Sequence, residues 1–225
     1  MDSAAKKINW YYNTLPKSTK TALDFLSKDL WFKKRTGWYL AGGTALALQA
    51  GHRKSVDLDF FIDKDFKEKE VIEYFSKNSQ WSTEVEDKGT VYGTLFKAKV
   101  SFISYPLFIA KQSFLKHGFI KVLDKQDVAV MKIVALAQRG RKRDFFDLYW
   151  CAQNIEPLGN TIRRLPKQYP SVAHNYHHIL KSLVYFNDAD HDPDPVINFK
   201  ADWLKVKAFF RKEAALAAKD LMGLM

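Results

Sequence analysis

Asp57 and Asp59 stand two residues apart in the string VDLDFFI. Val56, Leu58, Phe60 and Ile62 alternate with Asp57, Asp59 and Phe61, the period of a strand with one face against a core. The two carboxylates then leave the same face, with Cα atoms roughly 6.6 Å apart at about 3.3 Å per residue. Carboxylates so spaced can converge on one divalent cation or share a pair of cations. Oxygen ligands suit Mg²⁺, which keeps waters and phosphate oxygens in its coordination sphere. Such a pair is expensive to bury unless something compensates it.

Upstream, with twelve residues between Thr44 and Asp57, stand Gly42, Gly43 and Thr44. Glycines let a backbone approach a phosphate closely. Thr44 opens an apolar stretch that reads as a short helix to Ala50, and a helix start offers free N–H groups and a favourable dipole to an anion. Arg53 and Ser55 lie just before the acidic strand and can reach the same anion. Read together, these residues form a phosphate cradle and a metal clamp. No lysine-serine follows the glycines, so this is not a P-loop. The acidic run DLDFFIDKD lacks the turn glycine of a calcium loop.

A second constellation follows at residues 127–150. Asp127 and Lys132 are five apart at the start of a helix, with Met131 and Ile133 flanking the lysine, so a helix face can carry it inward toward an anion. Arg139, Arg141, Lys142 and Arg143 form a basic cluster, open to reading as a phosphate site or a solvated turn. Asp144 and Asp147 share a helix face. Orienting Lys132 or Arg143 and joining the metal site are both open to them, and Asp144 is also placed to cap a helix.

Around these residues the elements read as follows. A helix spans 18–35 with Ser18 or Thr19 as cap, and another spans 66–77. Three β-rich runs fill 81–105 with a turn at Gly89. A long helical region covers 124–152, broken near Gly140. Helices follow at 172–186 and 201–222, the last with Trp203, Leu204, Val206, Phe209 and Phe210 on its apolar side, and an acidic loop spans 187–195. Strands concentrate early and helices late. The expected fold is α+β, a mixed sheet with flanking helices followed by a helical domain, with domains at 1–120 and 121–225.

The chain has 225 residues, 47% hydrophobic and 15% aromatic, and a net charge of +11 spread along its length. That is enough apolar matter for a packed core, and the charge favours a polyanionic partner, nucleic acid first. The one cysteine, Cys151, allows no disulfide framework. No signal peptide and no membrane span are read, so a cytoplasmic protein is expected.

Gly-Gly/Ser, a dozen residues, then Asp-x-Asp on a strand resembles the DNA polymerase β-type nucleotidyltransferase superfamily. The fuller strings GGTALALQ…GHRKSVDLDFF and DVAVMKIVALAQRGRKRDFFDLYW are similar to the AbiEii/AbiGii toxin family, over about residues 38–150. The resemblance implies a minimal nucleotidyltransferase domain followed by a helical one. It assigns Asp57 and Asp59 to Mg²⁺ and catalysis, and Gly42, Gly43, Thr44, Arg53, Ser55, Asp127 and Arg143 to the nucleotide. Lys132, Asp144 and Asp147 join the catalytic set. It further implies an NTP substrate, RNA and most specifically the 3′ end of tRNA as acceptor, and an antitoxin as partner. One departure stands out: no Asp or Glu occurs between Asp87 and Asp124, and Ser101 occupies the strand position where a third carboxylate would be sought. Two functions outside this reading keep the same residues: a nucleotide- or RNA-binding module without chemistry, and an AMPylating enzyme.

Overall fold

The computed structural model describes residues 8–222. Seven strands form one mixed sheet: β1 (Tyr39–Ala41), β2 (Leu58–Ile62), β3 (Trp81–Asp87), β4 (Thr90–Leu95), β5 (Ala98–Ser104), β6 (Leu115–His117) and β7 (Ile120–Val122). Their spatial order is β3-β4-β5-β2-β1-β7-β6. The outer pairs are antiparallel hairpins, while β2 runs parallel to β5 and β1 parallel to β7. On the first half of the chain pack α1 (Lys17–Leu26), α2 (Leu30–Lys34), α3 (Gly42–Ala50) and α4 (Glu68–Phe75). The second half carries α5 (Lys125–Arg139), α6 (Lys142–Asn154), α7 (Leu158–Arg163), α8 (Leu165–Gln168), α9 (Tyr176–Ser182), α10 (Asn187–Asp190) and α11 (Trp203–Met222). The α+β class and the helical C-terminal region stand as expected.

Strand β2 alternates as its sequence dictates. Leu58, Phe60 and Ile62 are buried, and Asp59 and Phe61 face the other side. Phe60 joins an aromatic core with Phe32, Phe75 and Phe102, whose rings lie 4.7–6.5 Å from their neighbours. Each such side chain buries enough apolar surface to contribute ~1.5–3 kcal/mol. This core pins the strand, so the acidic face cannot rotate away.

Several local expectations need correction. The sheet does not stop near residue 105: β6 and β7 extend it from Leu115 to Val122. The 18–35 stretch is two helices, and the first begins after Pro16 with no side-chain cap. The second is capped by Asp29, which accepts from the Trp31 amide. Asp144 does not cap α6, whose N-cap is Arg141. Leu204 is 74% exposed, so it lies off the apolar face of α11.

The helices that carry site residues are held by specific bonds. Gln49 donates to the Leu123 carbonyl and accepts from the Lys125 amide, locking α3 to the start of α5. Gly140 takes the left-handed conformation and separates α5 from α6. The loop bearing Arg53 is clamped from a distance: Lys54 N–H donates to Val196, Asn198 N–H donates to His52, and Arg53 bridges Ile197.

Candidate active site

The acidic strand and the mouth of α3 face each other across a cleft of about 280 Å³. Asp57, Asp59, Gly42, Gly43, Arg53, Ser55, Lys132 and Arg143 all line it. The two glycines are required by their neighbours. Gly42 has φ +68, and a Cβ there would sit 3.0 Å from Asp59 Oδ2. A Cβ on Gly43 would lie 2.6 Å from Arg53 Nη2. Helix α3 starts at Gly42 with no side chain capping it, so its first-turn amides remain for a ligand. Thr44 is buried; its hydroxyl lies 2.9 Å from Ser55 Oγ and donates to the Asp57 carbonyl, tying the helix to the acidic strand. Thr44 therefore acts behind the cleft surface.

The two carboxylates differ in environment. Asp57 is partly exposed, with Arg143 Nη1 3.7 Å from its Oδ2. Asp59 is half-buried at the cleft wall, and its carboxyl is pushed above the ordinary carboxylate value, first by desolvation and then by the charge of Asp57. The Ser101 hydroxyl bonds to it, and Lys132 and Arg143 act from further off. Ser101 stands directly beside Asp59 in the β2–β5 ladder. That is the location where a third carboxylate was sought, and a hydroxyl fills it. Among the described residues no group of three His, Cys, Asp or Glu side chains gathers to hold a metal.

Asp144 and Asp147 do not reach the cleft. Both are fully buried beneath it and form a charge network with its floor. Asp147 accepts from Arg53 Nε at 2.5 Å and Nη2 at 2.8 Å, from His52 Nε2 at 2.7 Å, and pairs with Lys132 Nζ at 2.7 Å. Asp144 accepts from Lys132 Nζ at 2.5 Å and Arg139 Nε at 3.1 Å. Burial alone would raise both carboxyls; Arg53 and Lys132 hold Asp147 well below the usual value, and Lys132 and Arg139 lower Asp144. Of the roles open to these aspartates, the geometry supports the first: they orient Lys132 and, in addition, Arg53. The anion that meets buried Lys132 is this pair. His52 entered no earlier reading; a histidine beside a loop glycine carries no signal until its partner, 95 residues away, is known.

Asp127 is the clearest correction. Its carboxylate accepts from the Lys111 and Gln112 amides, at 2.7 and 2.9 Å, and from Gln168. It fastens the loop after β5 to α8, and its side chain is saturated without a nucleotide. The basic cluster divides. Arg139 and Arg143 turn toward the cleft, whereas Arg141 and Lys142 pair with Asp192 and Asp194 of the acidic loop. The remaining wall is aromatic and apolar, with Phe61, Tyr92, Tyr105, Ile103, Val128 and Met131. Phe61 shares the strand face of the two aspartates and Met131 flanks Lys132; Tyr92, Tyr105, Ile103 and Val128 were not singled out beforehand, because β4, β5 and α5 meet there only in the folded sheet.

A mixed sheet with an acidic strand facing a glycine-led helix defines a nucleotidyltransferase fold. The comparisons agree. Residues 24–221 match the family model described as nucleotidyl transferase AbiEii toxin, type IV TA system. The chain belongs to that family: it is a nucleotidyltransferase toxin of the type IV toxin–antitoxin class. An uncharacterized protein of Aquifex aeolicus is 35% identical over 187 residues, 78% of this chain and 85% of the relative. Among solved structures, a protein from H. pylori described as a candidate nucleotidyltransferase shares the fold at TM-score 0.53 and 17% identity, over 93% of this chain and 99% of that one. MenT4, a nucleotidyltransferase toxin from Mycobacterium tuberculosis, does so at TM-score 0.54 and 15% identity, over 89% and 84%. No described helix is long and apolar enough to cross a membrane.

Proposed function

We propose that this chain transfers a nucleoside monophosphate from an NTP to a hydroxyl of RNA, specifically the 3′ end of tRNA, in a Mg²⁺-dependent reaction. One observation carries the reading. Asp57 and Asp59 are the loosely paired carboxylates of the site, with Arg143 3.7 Å from Asp57, and they face uncapped helix-start amides across a cleft.

The donor set fits Mg²⁺. Desolvation, and after it the charge of Asp57, raises Asp59, and a divalent cation held by the two carboxylates would offset that cost. Asp57 and Asp59 would hold the ion, which supplies charge neutralisation to the phosphates and to the attacking oxygen. The chain's own residues do the rest. The first-turn amides of α3 and the guanidinium of Arg143 bind triphosphate oxygens. Lys132 and Arg53, fixed from behind by Asp144 and Asp147, present positive charge at the floor without reorganising. Phe61, Tyr92 and Tyr105 offer rings against which a base stacks.

In the reaction the acceptor hydroxyl oxygen bonds the α-phosphorus. The bond from that phosphorus to the β-bridging oxygen breaks, and pyrophosphate leaves with the electron pair. The hydroxyl proton passes to a carboxylate oxygen of the Asp57/Asp59 pair. Catalysis rests on positioning and charge, with no covalent enzyme intermediate. The net charge of +11 supports RNA as acceptor, and the family implies an antitoxin as protein partner.

The test is incubation with each α-³²P-labelled NTP, Mg²⁺ and total tRNA, beside Asp57→Ala. Label on tRNA that vanishes in the variant is the expected result. A second reading, nucleotide binding without transfer, is favoured by Ser101 standing beside Asp59. Retained NTP binding with label on neither RNA nor protein would establish it; label on protein would establish the AMPylating reading instead.

A further inference from the structure

The catalytic cleft does not end at Arg139. A second recess of about 290 Å³ begins where the first stops, and Gln138 and Arg139 line both. One wall is the last turn of α5 with Gly140. The other is formed by His178, Lys181, Ser182 and Tyr185 of α9 and the turn after it, with Asp188 at the far end. The spacing of three and four residues puts these side chains on one face.

Their chemistry is mixed in a particular way. Lys181 is exposed, and Arg139 is half exposed although its Nε is held by Asp144. Both can meet phosphates. The Tyr185 ring is 47% exposed, an aromatic surface left outside the core. His178 Nε2 lies 3.1 Å from the Ala137 carbonyl. A carbonyl only accepts, so Nε2 carries the proton, and in the neutral ring Nδ1 is an acceptor. Asp188 is another acceptor, and the C-terminal turn of α5 contributes carbonyls at the same place. Cations spaced around a ring, with acceptors beside it, match a chain of phosphates whose bases carry N–H edges. An acidic peptide would use the cations and leave the acceptors facing its own carboxylates.

We propose that this recess is the acceptor groove: it seats the unpaired 3′-terminal nucleotides of an RNA, with a base stacked on Tyr185, phosphates on Lys181 and Arg139, and the terminal hydroxyl directed past Arg139 to Asp57 and Asp59. The inference rests on the transferase reading for the hydroxyl's fate, whereas the seating of RNA stands by itself. Single-stranded nucleic acid is commonly held by such pairings of rings and cations.

The experiment uses Tyr185→Ala/Lys181→Glu, two exposed changes outside the catalytic cleft. Anisotropy of a fluorescein-labelled mixed-sequence oligoribonucleotide with a free 3′ hydroxyl reports RNA seating. Calorimetric titration with NTP and Mg²⁺ reports the nucleotide site, and steady-state transfer to tRNA reports acceptor use. The expected result is RNA affinity weakened by at least ~10-fold, a shallower salt dependence by about one unit from the lost lysine, unchanged NTP binding, and a raised KM for tRNA with kcat preserved. Equal RNA binding by wild type and variant would overturn the groove, as would wild-type protein that binds no RNA. Wild-type protein that binds RNA through this face but transfers nothing to it would sustain the groove and defeat the transferase reading. Label transferred to protein and lost in the variant would make the recess a polypeptide site and overturn the proposal.

Discussion

One pair of aspartates lines the cleft and another lies beneath it, and the two are treated in opposite ways. Asp144 and Asp147 are surrounded by four donor side chains: Lys132, Arg139, His52 and Arg53, the last through two of its nitrogens. Asp57 and Asp59 have one guanidinium at 3.7 Å and a serine hydroxyl between them. Asp144 and Asp147 are fully buried, whereas Asp57 and Asp59 keep an opening onto the cleft. What separates them is access to the cleft. The saturated pair can gain nothing from a ligand. The other carries uncompensated charge, which is a cost in the free protein and a source of affinity for a cation or a proton.

The largest way to break this comparison is to remove one carboxylate from each pair. Asp57→Ala should lower transfer by ~10³-fold or more and leave the melting temperature unchanged or raised, because Asp59 loses a repelling neighbour. Asp147→Ala should do the reverse in kind. It leaves Arg53 and Lys132 partly unpaired in the interior, costing about 3–5 kcal/mol, a large share of the ~5–15 kcal/mol that holds a domain together. Chemical denaturation and single-turnover transfer on both variants check this. Equal destabilisation by the two would erase the distinction between the pairs.

A narrower change sharpens it. Gly43→Ala places a methyl 2.6 Å from Arg53 Nη2. The guanidinium cannot swing away cheaply, since Asp147 grips it at two points. The mouth of α3 must shift instead, and NTP affinity should fall about tenfold, near 1.4 kcal/mol, with a smaller loss of stability. NTP titration calorimetry measures it; unchanged affinity would mean that the α3 amides do not hold the triphosphate.

These contrasts also mark what was legible before the fold. The alternation around Asp59, the break at Gly140 and the rise from strands to helices all follow from local periodicity, and each is realised. The short strands β6 and β7 have three residues each, too few to show a period of two, and they form because β1 offers β7 an edge. The saturation of Asp127 depends on loop amides and on Gln168, 41 residues away. The Arg53–Asp147 clamp spans 94 residues. Sequence spacing showed which groups carry charge; which charges remain free is a property of the packed interior.

The smallest effect tests the saturated pair by pH. His52 is buried, and Nε2 is committed to Asp147 while Nδ1 has no partner among the described residues. Protonation would bury an unpaired N–H, so the folded-state pKa is lowered, chiefly by burial, beneath the usual 6.5. The unfolded chain therefore takes up a proton below pH 6.5 that the folded chain refuses. Stability is whole above that pH and declines as pH falls through 6.5 toward the folded value. Asp144 and Asp147 act in a separate window: their lowered values preserve stability until pH falls below the ordinary carboxylate value of 3.8. His52→Gln keeps a donor for Asp147 and removes the titration. Its melting temperature should fall less than the wild type's between pH 7.5 and 5.5. The slope should not vanish, because His117 is also buried with a lowered value and persists in the variant. Asp59, raised rather than lowered, contributes with the opposite sign in both proteins and cancels in the difference. Parallel melting curves for the two proteins across this range would show that His52 titrates alike in the folded and unfolded chain, and that burial beneath the cleft does not hold it neutral.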